Sequence, residues 1–426
     1  MKILKYGSTG PNVKLLQLAL NRAQNALLDT DGVFGERTRN ALIRFQAENG
    51  LSADGIAGPQ TQAALRPWYT GVYMHRVRQG DTLWSISRMH GVSLESIVAA
   101  NPGIDPANLV LGSTVKVPLP FSVVPTDIDW SSDLVACCAE GLPARYPFLK
   151  SSVIGSSVMG KPLYALSFGT GANRVVYNAS HHANEWICTP MLFKYIEELC
   201  RAYASGGVIF GQSAAELYRL STVIFVPAVN PDGIDLVTGA ICEGEYFDAA
   251  RRIAARYPSI PFPSGWKANI RGVDLNLQYP AGWETARDNK FALGFVSPAP
   301  ADYVGSAPLV ASESRAMYDF TMSVSPALTL SYHSQGRVIY WKYADYEPPR
   351  SRQIAEAFAA VSGYSVEDTP YASGFAGYKD WFIQNFNRPG YTIEVGLGTN
   401  PLPLSQFDGI YSENLGILTY GALATL

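Results

Sequence analysis

Arg174-Val175-Val176-Tyr177-Asn178-Ala179-Ser180-His181-His182-Ala183-Asn184-Glu185-Trp186 is the stretch on which the fold turns. Its first half has the β-branched and aromatic content of a strand and leads straight into two histidines and a glutamate. Thr189 is placed to N-cap a following helix, with Pro190 at the first helical position. His182 and Glu185 therefore sit on a tight loop between two rigid elements. Imidazole nitrogen and carboxylate oxygen are the donors a catalytic zinc ion takes, usually as three protein ligands plus a water. A His-x-x-Glu alone is a weak signal, so the rest of the chain has to carry the reading.

It does so in order. His333 ends an apolar strand beginning at Ala327 and is followed by Ser334-Gln335-Gly336. Glu394 lies inside Tyr391-Thr392-Ile393-Glu394-Val395, where a carboxylate is expected to be buried and to need a partner. Between Glu185 and His333 come Asn230-Pro231-Asp232-Gly233, after the apolar run Thr222 to Val229, and Gly272-Val273-Asp274-Leu275-Asn276. This ordered set resembles the zinc carboxypeptidase family of the carboxypeptidase A and T type, from about residue 125 to 426. The resemblance implies that His182, Glu185 and His333 bind one Zn²⁺ and that Glu394 is the general base. His181 is then a neighbour of the site and not a ligand, while His75 and His90 lie far from it in the chain.

The departures from the family pattern are as informative. The Arg that would steady the oxyanion is replaced by Lys267, which keeps a cation but not a planar fork; Arg271 is the second candidate. Asn276 keeps a substrate-binding position, but the Arg that follows it in the family and clamps a terminal carboxylate is Leu277 here. Asn184 fills another family Arg position, and the late active-site Tyr has only Ile383 near its place, with Tyr378 close by. Arg271 and Arg337, both close in sequence to site residues, are left as candidates to receive substrate carboxylates.

Composition is that of an ordinary globular protein: 426 residues, 47% hydrophobic and 16% charged, enough for two or three domains. A net charge of −3 gives no reason to expect nucleic-acid binding, and no run approaches the roughly 18 apolar residues of a membrane helix. The five cysteines show neither zinc-ribbon spacing nor a pairing pattern, so free buried thiols are expected. The N-terminal residues lack the apolar stretch and cleavage site of a secretion signal.

Residues 1–68 carry a near-duplication. Asp31-Gly32-Val33-Phe34-Gly35-Glu36-Arg37-Thr38 is echoed by Asp54-Gly55-Ile56-Ala57-Gly58-Pro59-Gln60-Thr61, each followed by a segment of helical period. With Leu16-Gln17 and Phe45-Gln46, this resembles the three-helix peptidoglycan-binding domain. Residues 73–118 read as strand, turn, two helices and strand, with Gly80-Asp81-Thr82-Leu83-Trp84 entering the first helix and Asn101-Pro102 breaking the second. That unit resembles the LysM domain, which implies a glycan groove formed by Gly80, Asp81, Thr82, Asn101, Pro102 and Ile104. Trp84 is expected to pack in the core. Residues 119–129, with Pro120 and Pro125, read as a linker.

The remainder, 130–426, alternates strands and helices, as expected of a mixed α/β sheet with ligands at strand ends. The whole is thus a multidomain chain: a small all-α domain, a βααβ LysM domain and an α/β zinc-peptidase domain. Two wall-binding modules ahead of such a domain resemble γ-D-glutamyl-L-diamino acid endopeptidases. That implies hydrolysis of the γ-D-glutamyl bond to meso-diaminopimelate or L-lysine, with peptidoglycan glycan strands and stem peptides as partners. It also implies a bacterial, sporulation-associated or cytoplasmic setting with access to wall or cortex. The alternatives are an exo-acting zinc carboxypeptidase and a wall-binding protein with a weakly active zinc domain.

Overall fold

The structure, a computed structural model, describes residues Met1–Leu426, which separate into two compact units, Met1–Ser151 and Ser152–Leu426. The first unit opens with three helices, α1 (Pro11–Gln24), α2 (Glu36–Glu48) and α3 (Pro59–Thr70). The repeat seen in the sequence proves to be a hydrogen-bond template. The Gln17 amide donates to Asp31 Oδ1 at 2.8 Å, Val33 O at 3.1 Å and Thr38 Oγ1 at 3.2 Å, and accepts from Gly32 N at 2.9 Å. Gln46 does the same to Asp54, Ile56, Thr61 and Gly55. Each buried glutamine satisfies the polar groups of one loop, so helix and loop fix each other.

The next module pairs β1 (Val72–Arg76) with β2 (Thr114–Pro118) antiparallel, and between them lie α4 (Leu83–His90) and α5 (Leu94–Ala100). Thr82 and Ser85 cap α4 reciprocally, as a turn-to-helix entry requires. Ile86, Ile97, Val115 and Val117 fill the core, but Trp84 does not join them: it is 65% exposed. The helical period that placed it inside belongs to Leu83 and Ile86, and Trp84 falls on the opposite face.

The stretch read as a linker and the residue after it are packed. Val123, Ile128 and Trp130 are fully buried, and Arg145 donates to the carbonyls of Gly71, Leu119 and Phe121. Arg145 closes α6 (Ser132–Arg145), which lies against α3. Gly141 permits that approach, since a Cβ there would fall 2.1 Å from Thr70 O. The prolines set the path of the chain, while the apolar residues between them bury it.

The second unit is built on an eight-stranded sheet. In chain order come β3 (Lys150–Ser156), β4 (Pro162–Phe168), β5 (Asn173–Ala179) and α7 (Cys188–Ala204). A short hairpin follows, β6 (Val208–Ile209) and β7 (Gln212–Ser213), then α8 (Ala214–Leu220), β8 (Ser221–Val226), α9 (Pro231–Thr238) and α10 (Glu245–Ala254). Next are α11 (Trp283–Ala292), α12 (Ser312–Val324), β9 (Leu328–Ser334), β10 (Val338–Tyr340), α13 (Ser351–Ser362) and β11 (Ser365–Glu367). The chain closes with α14 (Tyr378–Phe386), β12 (Gly390–Val395) and α15 (Phe407–Gly421).

The sheet order is β11-β10-β12-β9-β5-β8-β4-β3. Its central strands β8, β5, β9 and β12 run parallel, with antiparallel neighbours β4 and β10 on either side. β9 is buried along its whole length, as parallel strands covered on both faces must be. β3, which the sequence did not announce, is an exposed edge strand without alternation, and β11 is only three residues long. Four of the five cysteines are buried and Cys242 is exposed; all are free.

Candidate metal centre and substrate cleft

The parallel strands β5 and β9 end at the same edge of the sheet, and their ends carry the histidines. After β5 the chain makes one 3₁₀ turn, Ala183–Glu185, before α7 begins at Cys188. Thr189 is therefore inside the helix and not its cap. Its hydroxyl donates to Pro227 O at 2.7 Å and meets Ser180 Oγ at 2.9 Å, which fastens the loop to the end of β8. The 3₁₀ turn brings Glu185 back beneath His182, while His333 arrives from the end of β9.

The three side chains converge. His182 Nδ1 lies 3.0 Å from Glu185 Oε1, His333 Nδ1 lies 2.8 Å from Glu185 Oε2, and the two Nδ1 atoms are 3.3 Å apart. One donor atom from each residue falls within 4.8 Å of the others. Both imidazoles turn the same nitrogen to one point, and a carboxylate faces it. Two nitrogens and one oxygen are the donor set of a catalytic zinc site, so the residues fit the ion. Behind them, His182 Nε2 meets Asp274 Oδ1 at 3.2 Å, which fixes the ring and leaves Nδ1 for the metal.

Charge is concentrated here. Burial alone would push Glu185 up, but His182, Lys267 and His333 hold it well below the usual carboxylate range. Glu394 is the opposite case: burial, reinforced by the negative charge of Glu185, pushes it up to about 8. Lys267 Nζ reaches Glu185 Oε1 at 3.3 Å. Burial works against its proton, yet Glu185, Asp274 and Glu394 together raise its pKa.

A cleft of about 520 Å³ opens over this cluster. Its lining includes His182, Glu185, His333, Lys267, Glu394, Asn276 and Leu277, so the structure gathers most of the residues picked from sequence for the peptidase site. Asn276 accepts from Tyr378 N at 3.0 Å through Oδ1. His181 stays behind the cluster with its Nε2 on Tyr279 OH at 2.9 Å.

Other candidates lie elsewhere. Arg271 is exposed and lines a neighbouring cavity with Glu245 and Tyr246. Arg337 is held by Glu413 at 3.0 Å and lies over the Tyr364 ring, away from the cleft lining. Ile383 has no hydroxyl, and Tyr378 is fully buried with its hydroxyl on Thr321 Oγ1 at 2.9 Å, so neither supplies a mobile aromatic hydroxyl. Besides Lys267, the cleft holds two cations that were not foreseen: Lys290, paired to Asp302 at 2.6 Å, and Lys379. The signal that finds them is burial of a lysine, which sequence does not display.

In the LysM-like module, Gly80, Thr82 and Pro102 are exposed. Asp81 is engaged by His75 Nε2 at 2.9 Å and Arg78 N at 2.7 Å. Asn101 is committed to the carbonyls of Ile97 and Lys116 and to Lys116 N, and Ile104 packs against the core.

A mixed sheet with two imidazoles and a carboxylate at its strand ends defines a zinc metallopeptidase, and the chain belongs to the zinc carboxypeptidase family, which residues 138–416 match. Residues 9–65 match a peptidoglycan binding domain and residues 75–118 the LysM domain. The chain is 43% identical over 399 residues to γ-D-glutamyl-L-diamino acid endopeptidase 1 of Lysinibacillus sphaericus, covering 81% of this chain and 98% of that protein. It is 39% identical over 276 residues to the uncharacterised protein YqgT of Bacillus subtilis (strain 168), covering 64% of this chain and 72% of that one. Among solved structures, bovine thrombin-activatable fibrinolysis inhibitor bound to tick carboxypeptidase inhibitor shares the fold. Its TM-score is 0.54 at 19% identity, over 70% of this chain and 97% of that one. No helix is long and apolar enough to cross a membrane.

Proposed function

We propose that the chain is a zinc-dependent peptidoglycan hydrolase that cleaves the γ-D-glutamyl to diamino acid bond of wall stem peptides. The convergence of His182, Glu185 and His333 beside Glu394 carries the chemistry. The long match to an endopeptidase of that name supports the choice of bond. His182 Nδ1, Glu185 and His333 Nδ1 would hold one Zn²⁺ per chain. When bound, the ion supplies Lewis-acid polarisation of the scissile carbonyl and lowers the pKa of water toward about 7. Glu394 takes the proton of the attacking water and passes it to the leaving nitrogen. Lys267 faces the negative charge that grows on the carbonyl oxygen, its ammonium already aimed at the cluster by Glu185. Asn276 lines the substrate side, with its Oδ1 tied to Tyr378 N and its amide left to donate.

The two N-terminal modules bind glycan, the LysM-like one along Gly80 to Thr82 and Asn101 to Ile104. They hold the enzyme at an insoluble polymer and raise local substrate concentration. The setting is a bacterial wall or spore cortex. Exo-acting carboxypeptidase activity is the second reading, favoured by the family and opposed by Leu277. Digestion of defined muropeptides with mass identification of products tests the choice. L-Ala-D-Glu ending at the γ-carboxyl is expected; release of single C-terminal residues alone would replace this reading with the second.

A further inference from the structure

Asn230-Pro231-Asp232-Gly233 stands out in the sequence, yet the chemistry above does not use it. The segment follows β8 and opens α9, with Asn230 fully buried as the helix N-cap. Asn230 Oδ1 accepts from Gly233 N at 3.0 Å, which fixes the way the side-chain amide faces. Its Nδ2 therefore points the other way and donates to His181 O at 3.1 Å, Ala268 O at 3.0 Å and Lys267 O at 3.4 Å. Gly233 permits this closeness, since a Cβ there would fall 2.6 Å from both Ala183 Cβ and Asn230 Oδ1. One amide thus bridges the loop that carries His182 and the segment that carries Lys267. The main chain of Lys267 is held on its other side too. Its N–H and that of Ala268 donate to Pro300 O at 2.8 and 2.9 Å, and its carbonyl also accepts from Ala183 N at 2.9 Å.

We infer that Asn230 is a positioning residue: it sets the Lys267 ammonium at its distance from the metal ligands, and so from the carbonyl oxygen on which negative charge grows. This rests on the role proposed above for Lys267. A lysine needs such a brace more than an arginine would. Its ammonium is a point charge on a flexible stem, so the charge goes where the backbone holds the root of that stem. Without the Nδ2 donor, buried carbonyls on both segments lose a partner, and Ala183 N is left to tie Lys267 to the ligand loop. A shift of about 1 Å is enough to forfeit much of the stabilisation, which depends on donors already aimed at the developing charge. The loss falls on kcat and not on KM, because the ground-state carbonyl lacks the charge that Lys267 meets.

The test is a double-mutant cycle in the full chain: wild type, Asn230→Asp, Lys267→Met and the pair, assayed on L-Ala-γ-D-Glu-meso-diaminopimelate. Zinc affinity and Tm are read for each protein. Aspartate keeps the cap on Gly233 N but turns an acceptor toward the three carbonyls. Asn230→Ser, which caps without adding charge, is run beside it. Lys267→Met is expected to lower kcat about 10²-fold and either Asn230 variant about 10-fold or more, with KM and zinc affinity within about threefold of wild type. In the Lys267→Met background the Asn230 change should cost less than about threefold, because the group it positions is gone. An equal loss in both backgrounds, or a loss matched by weaker zinc binding, would assign Asn230 to the fold or to the ligand loop and overturn the inference. So would failure of both Asn230 variants to fold. If Lys267→Met alone leaves kcat nearly unchanged, Lys267 lacks its proposed role and the inference falls, while the choice of bond stands. If wild type leaves the tripeptide whole, the proposed bond is wrong, and the same cycle on an α-linked peptide ending in Phe judges the inference by the same coupling. Inactivity on both peptides would sink the proposed function and the inference together.

Discussion

His333 and Glu394 are register partners on the adjacent parallel strands β9 and β12. Partners in register share a face of the sheet, so the candidate ligand and the proposed base point into the cleft together. Their separation is set by backbone hydrogen bonds between strands and not by a loop. Glu185, by contrast, comes from a single 3₁₀ turn, which the bond between Ala183 N and Lys267 O (2.9 Å) braces from outside.

Glu394→Gln keeps the shape of the side chain and removes the base. It should lower kcat about 10²–10⁴-fold while zinc content and Tm stay at wild-type values. Metal analysis beside steady-state kinetics on the tripeptide decides it. Turnover within a few-fold of wild type would move the base elsewhere.

Asp274 touches His182 from behind and also accepts from Asp302 N at 3.1 Å and Asn276 N at 3.1 Å. Asp274→Asn should retain fold and weaken zinc binding about 10–100-fold, measured by competition with a chromophoric chelator. Unchanged affinity would mean that the ring of His182 is oriented without it.

The convergence of His182, Glu185 and His333 was legible because each ends a strand or starts its loop, where an ionisable residue interrupts an apolar run. Asp274 was visible as part of Gly272-Val273-Asp274 but had no role until its distance to His182 was known. Lys379 and Lys290 were invisible for a physical reason: both sit on helices with ordinary polar neighbours, and only the tertiary fold buries them. Trp84 misled because an aromatic at a helix start reads as core when the face is unknown. The prolines around residue 125 suggested a linker, and the burial of Val123, Ile128 and Trp130 became visible only in the fold.

Gln17 and Gln46 offer a stability test with a pH signature. Gln17→Leu leaves Gly32 N and Asp31 without their partner and should cost about 1–3 kcal/mol. Asp31 and Asp54 lie below their ordinary value of 3.8 because the backbone N–H of Val33 or Ile56, and then the glutamine amide, bind the charged form. A depressed carboxyl stabilises the fold above its unfolded pKa, and that stability is lost as pH falls through the lower folded value. Thermal unfolding of the full chain between pH 7 and pH 2 should show the loss setting in below about pH 4. The loss should be smaller in Asp31→Asn, and an identical acid profile in that variant would remove the carboxylate from the account.

Trp84 is exposed beside the Gly80-to-Thr82 turn, with only Arg88 over its ring at 6.0 Å. Trp84→Ala should leave stability within about 0.5 kcal/mol, as surface changes do. It should also weaken pelleting with sacculi without changing turnover of soluble tripeptide. A large drop in Tm would restore the ring to the core.

The proposed endo cleavage rests on Leu277. Its side chain packs with Trp283, Ala286, Val304 and Ala376, and its edge forms part of the cleft wall. An arginine at that point would pair with a terminal carboxylate through two charge-assisted bonds; leucine offers none. A carboxylate pressed against an apolar wall instead loses water without gaining a partner. The site therefore has no reason to demand a free terminus at the diamino acid. The tripeptide and its D-Ala-extended tetrapeptide should be cut at the γ-D-glutamyl bond with kcat/KM within about tenfold of each other, a gap of 1.4 kcal/mol at most. A simple α-linked peptide ending in Phe or Leu should lose that residue far more slowly. Rapid release of the terminal Phe or Leu, with both wall peptides untouched, would show that the exopeptidase reading is the correct one.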